Sequence, residues 1–302
     1  MALEKETFAP QPETLRYINR VCDKHNLRQD IQLSTGIKSA HWEEGQRTGR
    51  FKDESGEQYR TRFSISCLGV LSSPTLPAIP GIENFKGQLF HTSRWPKPLK
   101  ISRDFARKRI GVSGTGATGI QTITEEAKVP TIEFLKVFQR TPNWSAPLRN
   151  TESTAARMQE IKSKYDSTFK QCASTPTGFL HAADPCKSAD VPQEERVALW
   201  EKLYSDPGFG KWLGAFKDTH TDHEANRLYS DFMAEKIRAR VHDPVVAEQL
   251  IPKDHGPGLR RVPLENGYFE VYNDPKVHQV NLARHHSQLS LAGVYCWINR
   301  TP

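Results

Sequence analysis

The sequence has no apolar run long enough to cross a membrane. A spanning helix needs about 20 consecutive apolar residues, and no stretch of this 302-residue chain approaches that length. The start of the chain, residues 1–7, also lacks the basic and then apolar blocks of a secretory signal peptide. These absences predict a cytoplasmic protein without a membrane span.

Paired cysteines and metal-ligand motifs are missing too. The five cysteines are scattered, odd in number and without a Cys-x-x-Cys pair: Cys22, Cys67, Cys172, Cys186 and Cys296. Neither a disulfide framework nor a zinc site is therefore expected, and the histidines, His285 and His286 included, show no metal-ligand spacing. A Gly-x-Ser-x-Gly elbow and a His-Glu-x-x-His helix are also absent, which argues against hydrolases and metalloproteases.

The chain has a basic surplus without a basic block. The net charge is +7, but the lysines and arginines are interleaved with acids. A solvated surface and a phosphate-binding cofactor site explain this surplus, so no nucleic-acid partner is expected. The 36% hydrophobic content is typical of a globular protein.

The first quarter of the chain predicts a helix and a small sheet. Residues 12–26 carry apolar side chains at helical spacing, and Pro12 suits a first turn. Residues 31–42 and 59–68 favour strands around a charged loop, which together predict a β-meander. The proline-rich stretch at 72–81 cannot be helix interior and is interpreted as a linker.

Residues 108–140 predict one right-handed βαβ unit. Ile110 and Val112 mark a short buried strand, a glycine turn and a helical face follow, and residues 134–138 form the second strand. Residues 151–245 then change to apolar repeats of three and four, which predict a helical insertion. A loop follows from 251, and residues 277–280 predict a closing strand.

The glycine turn fits a dinucleotide fingerprint. Gly114-x-Gly116-x-x-Gly119 directly follows a predicted strand and opens a helix. The first glycine permits the turn, the second lets the backbone approach a pyrophosphate, and the third lets helix pack on strand. The candidate cofactor-binding residues here are Gly114, Thr115, Gly116, Ala117, Thr118 and Gly119. A glycine-rich turn without a ligand is the alternative.

The end of the second strand favours NADPH over NADH. NAD sites place an acidic residue there, whereas this chain has Gln139-Arg140-Thr141. A cation at this position suits the 2′-phosphate of NADPH. An exposed strand-end arginine without a ligand is the alternative.

A second motif precedes the fingerprint and carries a family resemblance. Residues 85–96 read Phe-x-Gly-x-x-x-His-x-x-x-Trp-Pro. This pattern, followed by a dinucleotide fingerprint, resembles the type I Baeyer–Villiger monooxygenases, FAD- and NADPH-dependent enzymes that use O₂ to insert an oxygen atom beside a ketone. The resemblance implies an α/β fold: a Rossmann-type NADP-binding domain with a helical insertion, plus an incomplete FAD-binding domain. It also implies a bulky hydrophobic ketone substrate in secondary metabolism.

The resemblance further implies roles for individual residues. Arg140 and Thr141 would bind the 2′-phosphate and Arg260 would reinforce that contact, although the family has Lys-Arg where this chain has Arg260-Arg261. Arg261 would be the catalytic arginine that stabilises negative charge developing during oxygenation; a surface arginine pair is the alternative. The family's domain-junction motif corresponds to Phe85, Gly87, His91, Trp95 and Pro96, with His91 coupling domain movement and Phe85, Gly87 and Trp95 as structural supports.

The resemblance also implies a set of domains. They are a partial FAD-domain segment with the β-meander (1–90), the NADP-binding βαβ domain (91–150), the helical insertion (151–250), the return to the NADP domain (251–282) and an unmatched tail (283–302). Before Pro80 there is no Gly-x-Gly-x-x-Gly, and Leu68 stands where the family has threonine. We therefore expect a chain truncated at both ends, with apolar surface of the meander exposed. Two alternatives stay open: a non-catalytic remnant that binds NADPH or a partner, and an N- or S-oxygenating flavin monooxygenase, against which Trp95-Pro96 and Arg261 argue.

Overall fold

The chain folds as two compact units. A computed structural model describes residues 6–69, 71, 73–75 and 82–282, and the backbone of 295–299. One unit comprises residues 2–73 and the other residues 74–302. The boundary falls in the proline-rich stretch predicted as a linker, most of which lies outside the described residues. The domain assignment made from the resemblance stays a prediction.

The first unit contains the predicted helix and meander. Its elements are α1 (Gln11–Lys24), β1 (Ile37–Glu43), β2 (Thr48–Asp53) and β3 (Gln58–Thr61), and the three strands pair antiparallel in chain order. The predicted strand boundaries were partly wrong, and β2 was not predicted. Residues 31–36 do not pair because Ser34 has a φ of +54°, outside the β region. The strand predicted to run to Leu68 ends at Thr61, because no strand of the described residues pairs with residues 62–68.

Large apolar side chains of the first unit are exposed, as expected. After β3, Phe63 and Ile65 are 80% and 89% exposed, and Leu68 and Leu71 are exposed to a similar degree. Leu15 on α1 is half exposed. The helix therefore forms with its apolar face uncovered by the described part of this unit.

The second unit alternates strands and helices around a central sheet. In chain order its elements are β4 (Gln88–His91), α2 (Ile101–Asp104), β5 (Arg109–Ser113), α3 (Ala117–Ala127), β6 (Phe134–Gln139), β7 (Ala146–Pro147), α4 (Ala155–Ser163), α5 (Tyr165–Ser174), α6 (Gln193–Ser205), α7 (Gly210–Leu213), α8 (His223–Arg240), α9 (Pro244–Leu250), β8 (Leu264–Glu265), β9 (Val277–Asn281) and β10 (Tyr295–Asn299).

The central sheet has the order β4-β10-β5-β6-β9. Strands β5, β6 and β9 are parallel, which confirms the predicted βαβ unit and the closing strand. Apolar side chains of these strands, such as Val112 and Val137, are buried, and so are Ile120 and Ile123 of α3. The helix therefore covers one face of the sheet. β10, from the segment predicted as an unmatched tail, pairs antiparallel with both β4 and β5.

The helical insertion lies between β7 and β8, as predicted. Its core is aromatic and includes Trp200, Tyr229 and Phe216. The Nε2 of Gln139, at the end of β6, donates to the carbonyl of Gln249 in α9 at 2.7 Å. The insertion is thereby tied to the carboxyl end of the parallel strands. No helix of the described residues is long and apolar enough to cross a membrane.

Candidate functional site

The turn between β5 and α3 has the geometry of a phosphate-binding loop. Gly114 has a φ of +99°, a conformation that side chains other than glycine rarely adopt. Its N–H donates to the carbonyl of Phe138 at 3.1 Å, which fixes the turn against β6. A Cβ placed on Gly116 would meet no atom within 4 Å, so the backbone faces open space there. Gly119 is buried in the first turn of α3.

The N-terminus of α3 provides donors and a positive potential. The helix begins after Gly116, has no side-chain cap and has no acidic residue in its first turn. The first backbone N–H groups of a helix lack intrahelical partners, and the helix dipole adds partial positive charge at this end. Ala117, Thr118 and Gly119 carry these groups here. The turn and the helix together favour a phosphate anion.

Six of the nine predicted binding residues line one cavity of about 300 Å³, and the other three, Ala117, Thr118 and Gly119, form the adjoining first turn of α3. Residues from four segments line it: Ser113, Gly114, Thr115, Gly116, Phe138, Arg140, Thr141, Pro142, Asn143, Arg260 and Leu282. The Oγ1 of Thr115 donates to the carbonyl of Thr141 at 2.9 Å. This bond joins the glycine turn directly to the segment that follows β6.

Two guanidinium groups reach this cavity from different parts of the chain. Arg140 follows β6, whereas Arg260 lies in the loop after the insertion, and both side chains are exposed. Arg260 has an ion pair with Asp254, with 3.5 Å between Nη2 and Oδ2. His255 donates to the other oxygen of Asp254, and this bond is the main reason that the pKa of the carboxyl is lowered. Asp254 is therefore a carboxylate near neutral pH.

Arg261 does not line this cavity. Its side chain is exposed, and its carbonyl accepts a hydrogen bond from Nδ2 of Asn143 at 3.3 Å. The catalytic role predicted for Arg261 stays a prediction. Arg260 and Arg261 thus differ in placement although they are adjacent in the loop.

Trp95 and His91 of the junction motif contact neighbouring residues of the chain. The indole of Trp95 donates to the carbonyl of Leu99 at 3.1 Å, and its ring lies 5.1 Å from that of Phe90 and 6.0 Å from that of Phe105, measured between centroids. Nδ1 of His91 accepts from the N–H of Ser93.

The rest of the motif lines other cavities. Gly87 and Pro96 line a surface cavity of about 670 Å³, and Phe85 lines a small one beside β5 and β6. The packing of Trp95 is consistent with its predicted structural role, and the roles of Phe85 and Gly87 stay predictions. The coupling role of His91 stays a prediction.

Sequence reasoning missed one part of the site. A second cavity, of about 710 Å³, shares Arg140, Thr141 and Pro142 with the first and is otherwise lined mainly by α9 and the residues after it. Asn143 was also missed, although its place two residues after Thr141 was a usable signal. The involvement of α9 could not be foreseen, because it depends on how the insertion folds back onto β6.

Metal and disulfide chemistry find no support in the described residues. No group of three or more histidine, cysteine, aspartate or glutamate side chains is arranged there to hold a metal ion. Cys22, Cys67, Cys172 and Cys186 are free thiols.

Known proteins are similar to this chain in sequence and fold. Residues 4–147 match the model of the flavin-binding monooxygenase-like family. The 2-oxo-Δ3-4,5,5-trimethylcyclopentenylacetyl-CoA monooxygenase of Pseudomonas putida is 44% identical over 92% of this chain and 51% of its own. The Baeyer–Villiger monooxygenase of Pseudooceanicola batsensis is 36% identical over 90% of this chain and 49% of its own.

A solved structure gives the same result. The crystal structure of OTEMO in complex with FAD and NADP matches with a TM-score of 0.88 and 44% identity, over 93% of this chain and 52% of that one. Over the part of them that it spans, this chain is similar in sequence and fold to Baeyer–Villiger monooxygenases. The chain spans about half the length of the relatives it matches. The fold predicted from the resemblance is confirmed.

Proposed function

We propose that the cavity at the end of β5 and β6 binds NADPH. The pyrophosphate lies against the glycine turn and the N-terminus of α3, and the 2′-phosphate lies between Arg140, Thr141 and Arg260. One observation carries this proposal: the open space over Gly116 and two guanidinium groups belong to the same cavity. Guanidinium groups match phosphate oxygens in charge and in fork geometry.

In this proposal the adenosine end of the nucleotide binds in the neighbouring cavity. It continues from Arg140 and Thr141 towards α9, where Val245 and Ile251 offer apolar surface and Glu248 offers an acceptor. The Glu248 carboxyl is ionised, because Arg238 and Lys253 lower its pKa to about 2. An apolar slot with a few polar groups is the usual environment of a nucleotide base.

For the whole protein we propose Baeyer–Villiger oxygenation of a hydrophobic ketone with FAD, NADPH and O₂. Bound flavin would supply the oxygen chemistry. This chain binds and orients the nicotinamide nucleotide, and Arg261 supplies permanent positive charge near it. The one glycine fingerprint in the sequence is used for NADPH, so no residue here is assigned to the FAD pyrophosphate. A substrate from secondary metabolism and a cytoplasmic location stay predictions.

The oxygenation is tested on the purified 302-residue chain. The protein is incubated with FAD, desalted and examined for flavin absorbance, and NADPH oxidation is then followed with cyclic ketones under air. Retained flavin with lactone products supports the proposal. N- or S-oxides formed from amines or sulfides, without lactones, would show the alternative oxygenation. A colourless protein that still binds NADP⁺ would show that this chain is a nucleotide-binding module without oxygenase activity of its own.

A further inference from the structure

The loop that carries Arg260 is docked onto the helical insertion through Asn226. This residue lies in the first turn of α8 and is partly buried. Its Nδ2 donates to the carbonyl of Pro257 in the loop at 3.0 Å and to the carbonyl of Thr219 at 2.8 Å. One amide group therefore joins the loop to the start of the helix.

Two glycines bring the loop backbone into close contact with the insertion. A Cβ on Gly256 would lie 1.4 Å from Oδ1 of Asn226, a distance that no side chain tolerates. Gly258 has a φ of +93°, and a Cβ there would lie 2.4 Å from Nδ1 of His220. Nε2 of His220 is in turn 2.9 Å from the carbonyl of Trp212. The loop thus fits onto side chains that are themselves held by hydrogen bonds.

The other side of the loop is held by the segment after β6. The indole of Trp144, only 2% exposed, donates to the carbonyl of His255 at 2.7 Å. Asn143 donates to the carbonyl of Arg261. The loop therefore lies between α8 and the segment that also carries Arg140, with hydrogen bonds to both.

The position of the loop decides where the guanidinium of Arg260 lies. Its contact with Asp254, at 3.5 Å, is at the limit of a hydrogen bond, so the side chain is placed mainly by its backbone. Charge-assisted bonds from guanidinium to phosphate depend on geometry as well as charge. A displaced loop would weaken the contact with a 2′-phosphate and leave the pyrophosphate site on α3 intact.

We propose that Asn226 is a positioning residue for the nucleotide: through the carbonyl of Pro257 it holds Arg260 where it selects NADP(H) over NAD(H). This rests on the proposed NADPH site and deepens it. Asn226 touches no nucleotide in this account. It acts through Arg260, and it links the helical insertion to cofactor selection.

The first test is calorimetric titration of the 302-residue chain with NADP⁺ and with NAD⁺. Asn226→Ala is expected to weaken NADP⁺ about tenfold, or about 1.4 kcal/mol, and NAD⁺ by less than about twofold, since NAD⁺ has no 2′-phosphate. Asn226→Asp, which keeps the size but loses both donated bonds, should do the same. Ser230→Ala, one turn along α8, is the matched control and should leave both affinities unchanged.

A double-mutant cycle tests the contact itself. Gly256→Ala should also lose the preference for NADP⁺ over NAD⁺, because its methyl group displaces the loop from Asn226. The double variant Asn226→Ala/Gly256→Ala should be no worse than either single variant, since all three disturb one contact and their effects cannot add. Circular dichroism verifies that each variant is folded.

Failure of the inference and failure of the proposed function give different results. A wild-type chain that does not bind NADP⁺, or binds both nucleotides equally, contradicts the NADPH site. A wild-type chain that prefers NADP⁺, with the preference intact in folded Asn226→Ala, overturns only the role of Asn226. Equal weakening of both nucleotides, or additive effects in the cycle, would also overturn it.

Discussion

At the scale of single residues, the site depends on two arginines that the chain brings from positions 120 residues apart to one cavity. Arg140 is placed by a strand of the central sheet, and Arg260 by a loop. Arg260 is ion-paired with Asp254, and a bound phosphate would compete with this carboxylate for the guanidinium group. Arg140 has the more rigid support, so it should dominate the contact with the 2′-phosphate.

Arg140→Ala is the substitution that tests this contact. Hydrogen bonds to charged groups contribute about 1.5–3 kcal/mol, so the affinity for NADPH should fall roughly ten- to a hundredfold. The affinity for NADH, which lacks the 2′-phosphate, should change little. Fluorescence titration with both nucleotides measures the two affinities.

The control for Arg140 is Arg157→Ala, which removes an exposed arginine of α4. This substitution changes the net charge by the same amount, and Arg157 lies outside the described cavity. The affinities for NADPH and NADH should therefore stay unchanged. Equal losses of NADPH and NADH in Arg140→Ala would contradict the 2′-phosphate assignment.

The sequence identified most of this site at residue level. The glycine spacing and the cation after β6 are local signals, and the structure brings those residues together. Asn143, Asp254 and the α9 side of the second cavity were missed because their relevance arises from tertiary contacts. Arg261 was singled out by resemblance alone; it does not line the cavity, and its catalytic role stays a prediction.

At the scale of elements, the junction between β5 and α3 depends on the backbone of Gly114. A residue with a Cβ at its φ of +99° would be strained, at a cost of order 1–3 kcal/mol. Gly114→Ala should lower the free energy of unfolding by that amount and lower the affinity for both NADP⁺ and NAD⁺.

Urea unfolding and titration with NADP⁺ and NAD⁺ check this prediction together. Gly56→Ala, at another positive-φ glycine that lies in the β2–β3 turn of the first unit, is the control for strain without a site. It should lower stability and leave nucleotide affinity unchanged. An unstrained, fully stable Gly114→Ala would contradict the account of this turn.

The junction of α6 and α7 contains a buried lysine whose charge depends on pH. Lys211 is 2% exposed and donates to the carbonyls of Asp206 and Gly208. Burial first, and then the charge of Arg149, lower its pKa from 10.5 to about 8. Between these pH values the unfolded chain binds a proton that the folded chain does not, so this group makes the free energy of unfolding rise with pH.

Lys211→Met isolates this effect. The stability of the wild-type chain relative to Lys211→Met should increase from pH 8 towards pH 10.5, as measured by urea unfolding at several pH values. Lys202→Met, which replaces an exposed lysine of α6, should show no such trend. A difference that is constant or falls with pH would mean that Lys211 keeps its proton in the folded state.

Prediction from sequence was best where elements are local. The βαβ unit, α1 and the helical insertion follow from apolar periodicity within one segment. The sheet of the first unit was less predictable, because β2 has little apolar alternation and forms through its two neighbours. The pairing of β10 with β4 and β5 joins residues about 200 positions apart, for which a single sequence has no signal.

At the scale of the whole molecule, the two units have different surfaces. The described part of the second unit buries a continuous core, whereas the first unit exposes Phe63, Ile65 and Leu68. Several exposed apolar side chains close together along the chain are typical of a surface that contacts other parts of a protein. Since the chain spans about half the length of its relatives, the oxygenation proposed for the whole protein requires more than the nucleotide site described here.

Hydrogen exchange should locate nucleotide binding within the molecule. Saturating NADP⁺ should slow amide exchange in the first turn of α3, in residues 140–143 and in residues 254–261, because these segments lie around the proposed site. Exchange in residues 6–69 should be unchanged. Protection spread over both units, or absent from α3, would be inconsistent with a site built by the second unit alone.

Selectivity of the nucleotide site for the 2′-phosphate can be measured on the wild-type chain itself. Calorimetric titration of the wild-type chain with NADP⁺ and NAD⁺ should show one site that binds NADP⁺ at least about tenfold more tightly, the preference expected from charge-assisted bonds to one additional phosphate. Equal affinities, or no binding of NADP⁺, would contradict the assignment of Arg140 and Arg260.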